Sequence, residues 1–371
     1  MYRSSRRSLT RLLYHRAVRR RSPCRVRGAA AALGAFALGV LCATAAAADE
    51  GDRLERFRRL ALASQSLAPA DDELPDAYRE MYALVDEEII ESLATGSVFA
   101  SPAFLQDRLD GFSEVWGAAA LGVIGVGPLV VGTFQFSDAS AANTVRIYGP
   151  LRGEVALLTT VHREGRPIVS PLRPGPDGAA QFVSAWEGAP SGRGTRRLRV
   201  ELWRQTGDAV RMVWSTAQQY AEDLVVRNWS LREGVLRVRY ELRYPGWTPG
   251  CAAQTESEDA WRLSPTRTTF VLAGRAPHHA WHRELRAAVA RLLGALASGD
   301  RGAIAALVPD ALVRRQLPAR LGAEPACDAP DDPANPRRVS VAASDRGSPW
   351  ELVWERVGVR WRLIAASPVL Q

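Results

Sequence analysis

The 371-residue chain contains no lysine, and all 48 of its basic residues are arginine. Without a lysine, the glycine-rich run GVIGVG at 122–127 cannot serve as a P-loop, and it opens no strand-to-helix turn of the dinucleotide-binding kind. Serine is present but never inside a Gly-x-Ser-x-Gly elbow; APSGRGT at 189–195 comes nearest and reads as a loop between strands, so a nucleophilic triad has no carrier. Histidine is scarce at five residues, and cysteine scarcer at four. Acid is missing from residues 1–48 altogether, where ten of the arginines stand. Beyond that stretch 38 arginines face 40 acids, a net charge near −2, which removes the charge argument for a nucleic-acid partner.

Residues 1–48 have the layout of an export signal: a basic stretch to Arg27, an uncharged run rich in alanine, then Asp49 and Glu50. Cleavage after Ala48 is expected, delivering the chain to the periplasm or cell surface of a bacterium. An uncleaved anchor over residues 28–48 is the competing reading, and membrane contact is expected only in that case. Cys24 and Cys42 leave with the signal. Cys251 and Cys327 then remain alone, both in Pro/Gly-rich loops, and are expected to form a disulfide in an oxidising compartment. That bond ties two proposed domains together.

Hydropathy periods divide the rest into a helical segment over 49–113, an antiparallel β domain over 114–275 and a small α+β unit over 276–371. In the first, PDAYREMYALVDEEIIESLATG carries Tyr78, Tyr82, Val85, Ile89 and Leu93 on one helical stripe, with Gly96 as its stop. The acids Asp86, Glu87, Glu88 and Glu91 read as a solvated face. Residues 115–137 carry no charge, yet five glycines and Pro128 favour a core strand pair over a membrane span. From Asn143 the period becomes two, most clearly in VLRVRYELRY, where Leu236, Val238, Tyr240, Leu242 and Tyr244 alternate with charged residues. RRLRVELW, the turn QTGD and AVRMVWST read as a hairpin. The fold class expected is mainly β: a sandwich or barrel, with a propeller fragment left open by recurrent tryptophans near strand ends, plus a C-terminal α+β unit.

In that unit, WHRELRAAVARLLGALASGD reads as a helix ending at Gly299, Asp300 caps a second helix over RGAIAALVPDALVRRQL, and three aromatic strands close the chain. LLGALASGDRGAIAALVPD followed by WERVGVRWRLIAASPV resembles the nuclear-transport-factor-2-like α+β cone superfamily over roughly residues 280–371. The resemblance implies a conical sheet with an interior pocket, and carries over no catalytic residue. Trp354 and Trp361 are the side chains expected to line such a pocket.

The stretch APHHAWHREL places His278 and His282 four apart, the spacing of some metal pairs. Two imidazoles do not hold zinc; His162 belongs to the β segment and Glu284 points to another face. Neither metal nor cofactor is expected. Pro277 and His278 read instead as a helix start, and His282 as the edge of a core beside Leu285 and Val289. TESEDAW sets Glu256 and Glu258 on one side of an extended chain. With His282, they are the only acid/base candidates for a hydrolase acting on envelope or extracellular polymers. The function expected is non-catalytic: binding of a small ligand or of a cell-envelope component. A membrane-anchored scaffold is the third reading.

Overall fold

Three short helices open the described part of the chain, and the chemistry at their ends is legible. The structure, a computed structural model, describes residues 53–64, 76–117, 120–136, 142–220, 223–264 and 268–369; the expected signal, residues 1–48, lies outside them. Helix α1 covers 53–64, α2 is Asp76–Thr95 and α3 is Pro102–Trp116. Gly96 follows α2 with φ 74°, a conformation that glycine adopts freely. Ser101 caps α3 by accepting from Phe104 N at 3.2 Å, as a serine before a first turn does. Their buried faces meet a four-stranded antiparallel sheet, β1 (Ala120–Val126), β2 (Leu129–Gln135), β3 (Asn143–Leu151) and β4 (Glu154–Val161). Phe57, Tyr78, Tyr82, Phe112, Trp116 and Phe136 form its aromatic core.

The uncharged run 115–137 is explained by burial on two sides. Leu121, Val123 and Phe134 face the helices, whereas Val126, Leu129 and Val131 face a second sheet across Phe182, Trp186 and Trp203. Strands of one sheet covered on both faces read as apolar throughout. Among the described residues, no helix is long and apolar enough to cross a membrane.

The acidic face of α2 requires a correction. Glu87 and Glu91 are outward, as expected, but Glu88 is buried between Arg53 at 2.6 Å and Arg108 at 2.7 Å. Asp86 is chelated by Arg146 of β3 and accepts from Tyr148 Oη at 2.7 Å. Glu88 therefore clamps α2 to its two neighbouring helices and Asp86 clamps it to the sheet, uses that helical period alone does not distinguish from solvation.

The second sheet holds β5 (Arg166–Pro171), β6 (Gln181–Glu187), β7 (Arg196–Thr206), β8 (Ala209–Ser215), β9 (Val225–Arg232), β10 (Val235–Glu241), β11 (Glu256–Ser264) and β12 (Thr269–His278), in the order β12-β11-β10-β9-β7-β6-β5. It forks at β7, whose Arg196 and Arg197 pair with β9 while Glu201–Thr206 pair with β8. The sheet curls round Val200, Leu202, Val226, Leu236, Val238 and Trp261. Trp214 of β8 meets Trp261 at 5.4 Å and Phe270 of β12 at 5.0 Å, so side chains rather than a backbone ladder bring the ends together. Among the described residues there is no closed barrel. β10 stops at Glu241, short of the Tyr244 that alternation includes, because Tyr244 turns to a partner described below.

The C-terminal unit has helices α4 (Ala280–Ser298), α5 (Arg301–Leu307) and α6 (Ala311–Gln316) on a sheet of β13 (Gly322–Ala323), β14 (Ala329–Pro330), β15 (Arg338–Asp345), β16 (Ser348–Val357) and β17 (Arg360–Pro368). Pro309 splits the expected second helix in two, since proline withholds an N–H and clashes with the preceding turn. Asp310 recaps the new piece through Leu312 N at 2.7 Å. α4 starts at Ala280, not at Pro277: His278 and Pro277 complete the ladder of β12 on β11, opposite Glu256 and Ser257. An edge strand tolerates that proline. The expected boundaries at 113/114 and 275/276 thus fall inside α3 and β12, since helices α1–α3 share a core with β1–β4 and the chain runs unbroken from β12 towards α4.

Candidate ligand cleft

Alternation places Glu256 and Glu258 on the outward face of β11, and there each is already engaged. Glu256 is buried between Arg227 of β9, at 3.0 and 3.1 Å, and Arg239 of β10, at 2.5 Å. Glu258 meets Arg237 at 3.5 Å and His278 Nε2 at 3.1 Å. These pairs form a charge ladder across four strands, the arrangement by which opposite charges stabilise neighbouring strands. His282 is brought elsewhere. It is buried under α4, with Nδ1 2.5 Å from Tyr244 Oη and Nε2 2.9 Å from Asp328. Burial raises the Tyr244 pKa, so its hydroxyl keeps its proton beside the ring. Arg286 approaches the same carboxylate at 2.8 Å. Neither contact is aligned as a hydrogen bond; that of Arg286 is a buried ion pair, and that of His282 a close polar approach.

Next to Asp328 stands the disulfide Cys251–Cys327, with Cα atoms 5.1 Å apart. It joins the β10–β11 loop to the loop before β14, so the pairing read from two loop cysteines does tie the curled sheet to the C-terminal unit. Among the described residues, no group of three or more His, Cys, Asp or Glu is placed to hold a metal ion.

Trp354 is fully buried and Trp361 nearly so, both packed with Trp281 into the core between α4 and the sheet. Their indole N–H groups find no acceptor among the described residues. Leaving a buried donor unmatched costs roughly 1–3 kcal/mol, which the burial of the large rings offsets. In this structure the two rings are packing.

The cavity that stands out lies at one end of the curled sheet and was not foreseen from the sequence. It measures about 740 Å³ and opens between the segment after β5, the β9–β10 turn, and Leu263, Ser264 and Thr268 beside β11 and β12. That volume falls within the range of roughly 300–1,000 Å³ usual for small-molecule sites. Pro171, Leu172, Pro174, Leu231 and Leu263 give it an apolar wall, and the three leucines also pack on the interior of the curl. The wall is held still from behind. Gly175 N bonds Ala179 O at 2.9 Å, and Asp177 accepts from Ala179 N at 3.1 Å, a bond that lowers its pKa and leaves it charged against Arg204. Across the mouth, Gly234 adopts φ 73° in the β9–β10 turn and its carbonyl receives Leu263 N at 2.7 Å. Tight hairpin turns favour glycine for that reason. The prolines of PLRPGP were the available signal, but a proline-rich loop reads the same whether or not it walls a cavity.

Behind the mouth, the inward face of β11 continues through Trp261 to Asp259. This carboxylate is fully buried and accepts from Arg275 at 2.7 and 2.8 Å, Tyr220 at 3.0 Å and Tyr240 at 3.3 Å. Its hydrogen bonds hold Arg275 charged, and burial raises both tyrosines. A carboxylate matched by four hydrogen bonds anchors the strands around it. Compared with known proteins, the chain matches no family model, and no curated protein shows significant similarity to it.

Proposed function

We propose that the protein is an exported, non-catalytic binding module that holds a small, largely apolar ligand in the cleft at the end of its curled sheet. The observation that carries this reading is the cleft itself: about 740 Å³, apolar-walled, and rimmed by hairpins locked by hydrogen bonds. Concave, mostly apolar sites of this size are where small molecules bind. Export is supported by the leader-like layout of residues 1–48 and by a disulfide, a bond at home in oxidising compartments. The C-terminal unit, read as a cone of the nuclear-transport-factor-2-like kind, serves in this proposal as a packed support. A non-catalytic role is favoured because Glu256, Glu258 and His282 each face fixed partners rather than a shared cavity.

The test is titration of the full chain with Nile red, an apolar fluorophore without a hydrogen-bond donor. Saturable binding is expected, weakened at least tenfold by Leu231→Asp, which sets an unpaired charge in the apolar wall. Absence of saturable binding, or indifference to Leu231→Asp, would sink the proposal. The mass of the secreted chain checks export separately: a start at Asp49 is expected, and retention of residues 1–48 would favour an anchored protein.

A further inference from the structure

A smaller cavity, of about 130 Å³, opens where β7 forks, and it shares no lining residue with the cleft. Arg197 and Arg199 of β7, Arg163 and Glu164 of the β4–β5 connection and Trp186 of β6 border it. Beside it Glu201 is fully buried, and its Oε1 accepts from Arg163 Nε at 2.8 Å and from Arg199 Nε at 2.7 Å. One carboxylate oxygen thus holds two guanidinium groups side by side, two positive charges against one negative. Apart from that oxygen, Arg163 donates to His162 O and Arg199 to no acceptor among the described residues. Several of their N–H groups are therefore left over on a cavity that both residues line. Arg197, on the same face of β7 as Arg199, is paired with Glu164 at 3.3 Å and Asp223 at 3.8 Å. Those two acids are 69% and 76% exposed, and ion pairs so exposed contribute little.

We propose that this cavity binds a small tetrahedral oxyanion of the phosphate class, at a site independent of the cleft and its ligand. Arginine forks match the oxygens of such anions in pairs. Glu201 already fixes two of the forks, so little side-chain freedom is lost when an anion arrives. The anion meets the positive charge that Glu201 leaves unmatched, and Arg197 joins it as Glu164 and Asp223 turn to solvent. Glu201 Oε2 is sealed from solvent, so the anion meets the guanidinium groups and not the carboxylate. Three arginines suit the four oxygens of phosphate or sulfate better than the two of a carboxylate. The small volume admits one such group and excludes the apolar body that the cleft takes.

The experiment follows thermal unfolding of the full chain in inorganic phosphate, with chloride at matched ionic strength as reference. Arginines that bind anions equally in the folded and unfolded chain leave the midpoint unmoved, so a shift reports a site that only the folded chain forms. A rise of about 2 °C is expected once phosphate exceeds its Kd tenfold, with a similar rise in sulfate and less than half of it in acetate. A rise in glycerol phosphate equal to that in phosphate would assign the anion to the end of a larger molecule, and a rise in phosphate alone to the free ion; both keep the site. Arg199→Gln should abolish the rise. Because that change also disturbs buried Glu201, Arg197→Gln is the second variant and should at least halve it. Arg237→Gln removes an equally exposed arginine from the outer ladder and should leave it intact. No rise over chloride in the unmodified chain would overturn the proposal. A rise unchanged in Arg197→Gln would also overturn it, since phosphate stabilises folded chains generally by exclusion from their surface, and an equal rise in acetate would overturn the tetrahedral class.

Discussion

The curled sheet and the C-terminal unit each wrap β structure round an apolar interior, and they finish that interior differently. In the C-terminal unit, Trp281, Trp354 and Trp361 fill the space between α4 and the sheet. In the curled sheet, Trp214, Trp261 and Phe270 fill the waist, but the end bounded by Leu172, Leu231 and Leu263 stays open. The same residue type thus closes one interior and stops short in the other. A pocket here depends on where the large rings end, more than on how many the chain carries.

Four experiments press on that contrast. Trp354→Ala should cost the most, about 4–5 kcal/mol in denaturant unfolding, because a fully buried indole leaves a void that its neighbours cannot fill. Nile red affinity of the chain that remains folded should not change; a parallel loss would show that the two interiors are one. Removing the disulfide by Cys251→Ser with Cys327→Ser should cost about 4 kcal/mol, the figure that loop-closure entropy gives for a long loop. The two cysteines stand 76 residues apart in sequence. A loss below about 1 kcal/mol, far under the loop-closure figure, would mean that Arg286, His282 and Asp328 hold the units together without it. Leu172→Trp extends the ring packing into the open mouth: Nile red binding should fall at least tenfold, about 1.4 kcal/mol, with little change in melting temperature. The smallest effect concerns His162, whose pKa is lowered by burial and then by the charge of Arg146. A lowered folded value means the unfolded chain binds the extra proton, so stability is full above the ordinary histidine value of about 6.5 and declines as pH falls through it. Replacing His162 by Gln should flatten that part of the curve, and an unchanged slope would exclude the residue as its source.

Much of the fold was legible because its signals are local. The hairpin turns at Gly207 and Gly234, the stop at Gly96 and the caps at Asp300 and Gly299 follow from backbone chemistry at single positions. Alternation in TESEDAW correctly put Glu256 and Glu258 together; followed one residue further, it also puts Asp259 inward beside Trp261. What could not be read was which distant chain segment supplies each partner. Glu88 looks solvated until Arg53 and Arg108 arrive, and His282 has no visible reason to be buried until Tyr244 and Asp328 surround it. The helix start at Pro277 was misplaced because a proline suits both a first turn and an edge strand, and only the ladder with β11 decides between them. The cleft was invisible because three leucines from three separate segments carry no shared spacing.

The fork at β7 leaves β12 with an outer edge that pairs with no strand among the described residues, and its residues 272–277 are exposed. Such an edge invites a strand from another molecule and is a common start of aggregation. This one is guarded. Pro277 offers no N–H to an incoming strand, the bulge at Ala260/Trp261 breaks the register beneath it, and Arg275, anchored to Asp259, keeps a charge on the margin. The open seam that spares the mouth from closure is therefore compatible with a chain that stays single at high concentration.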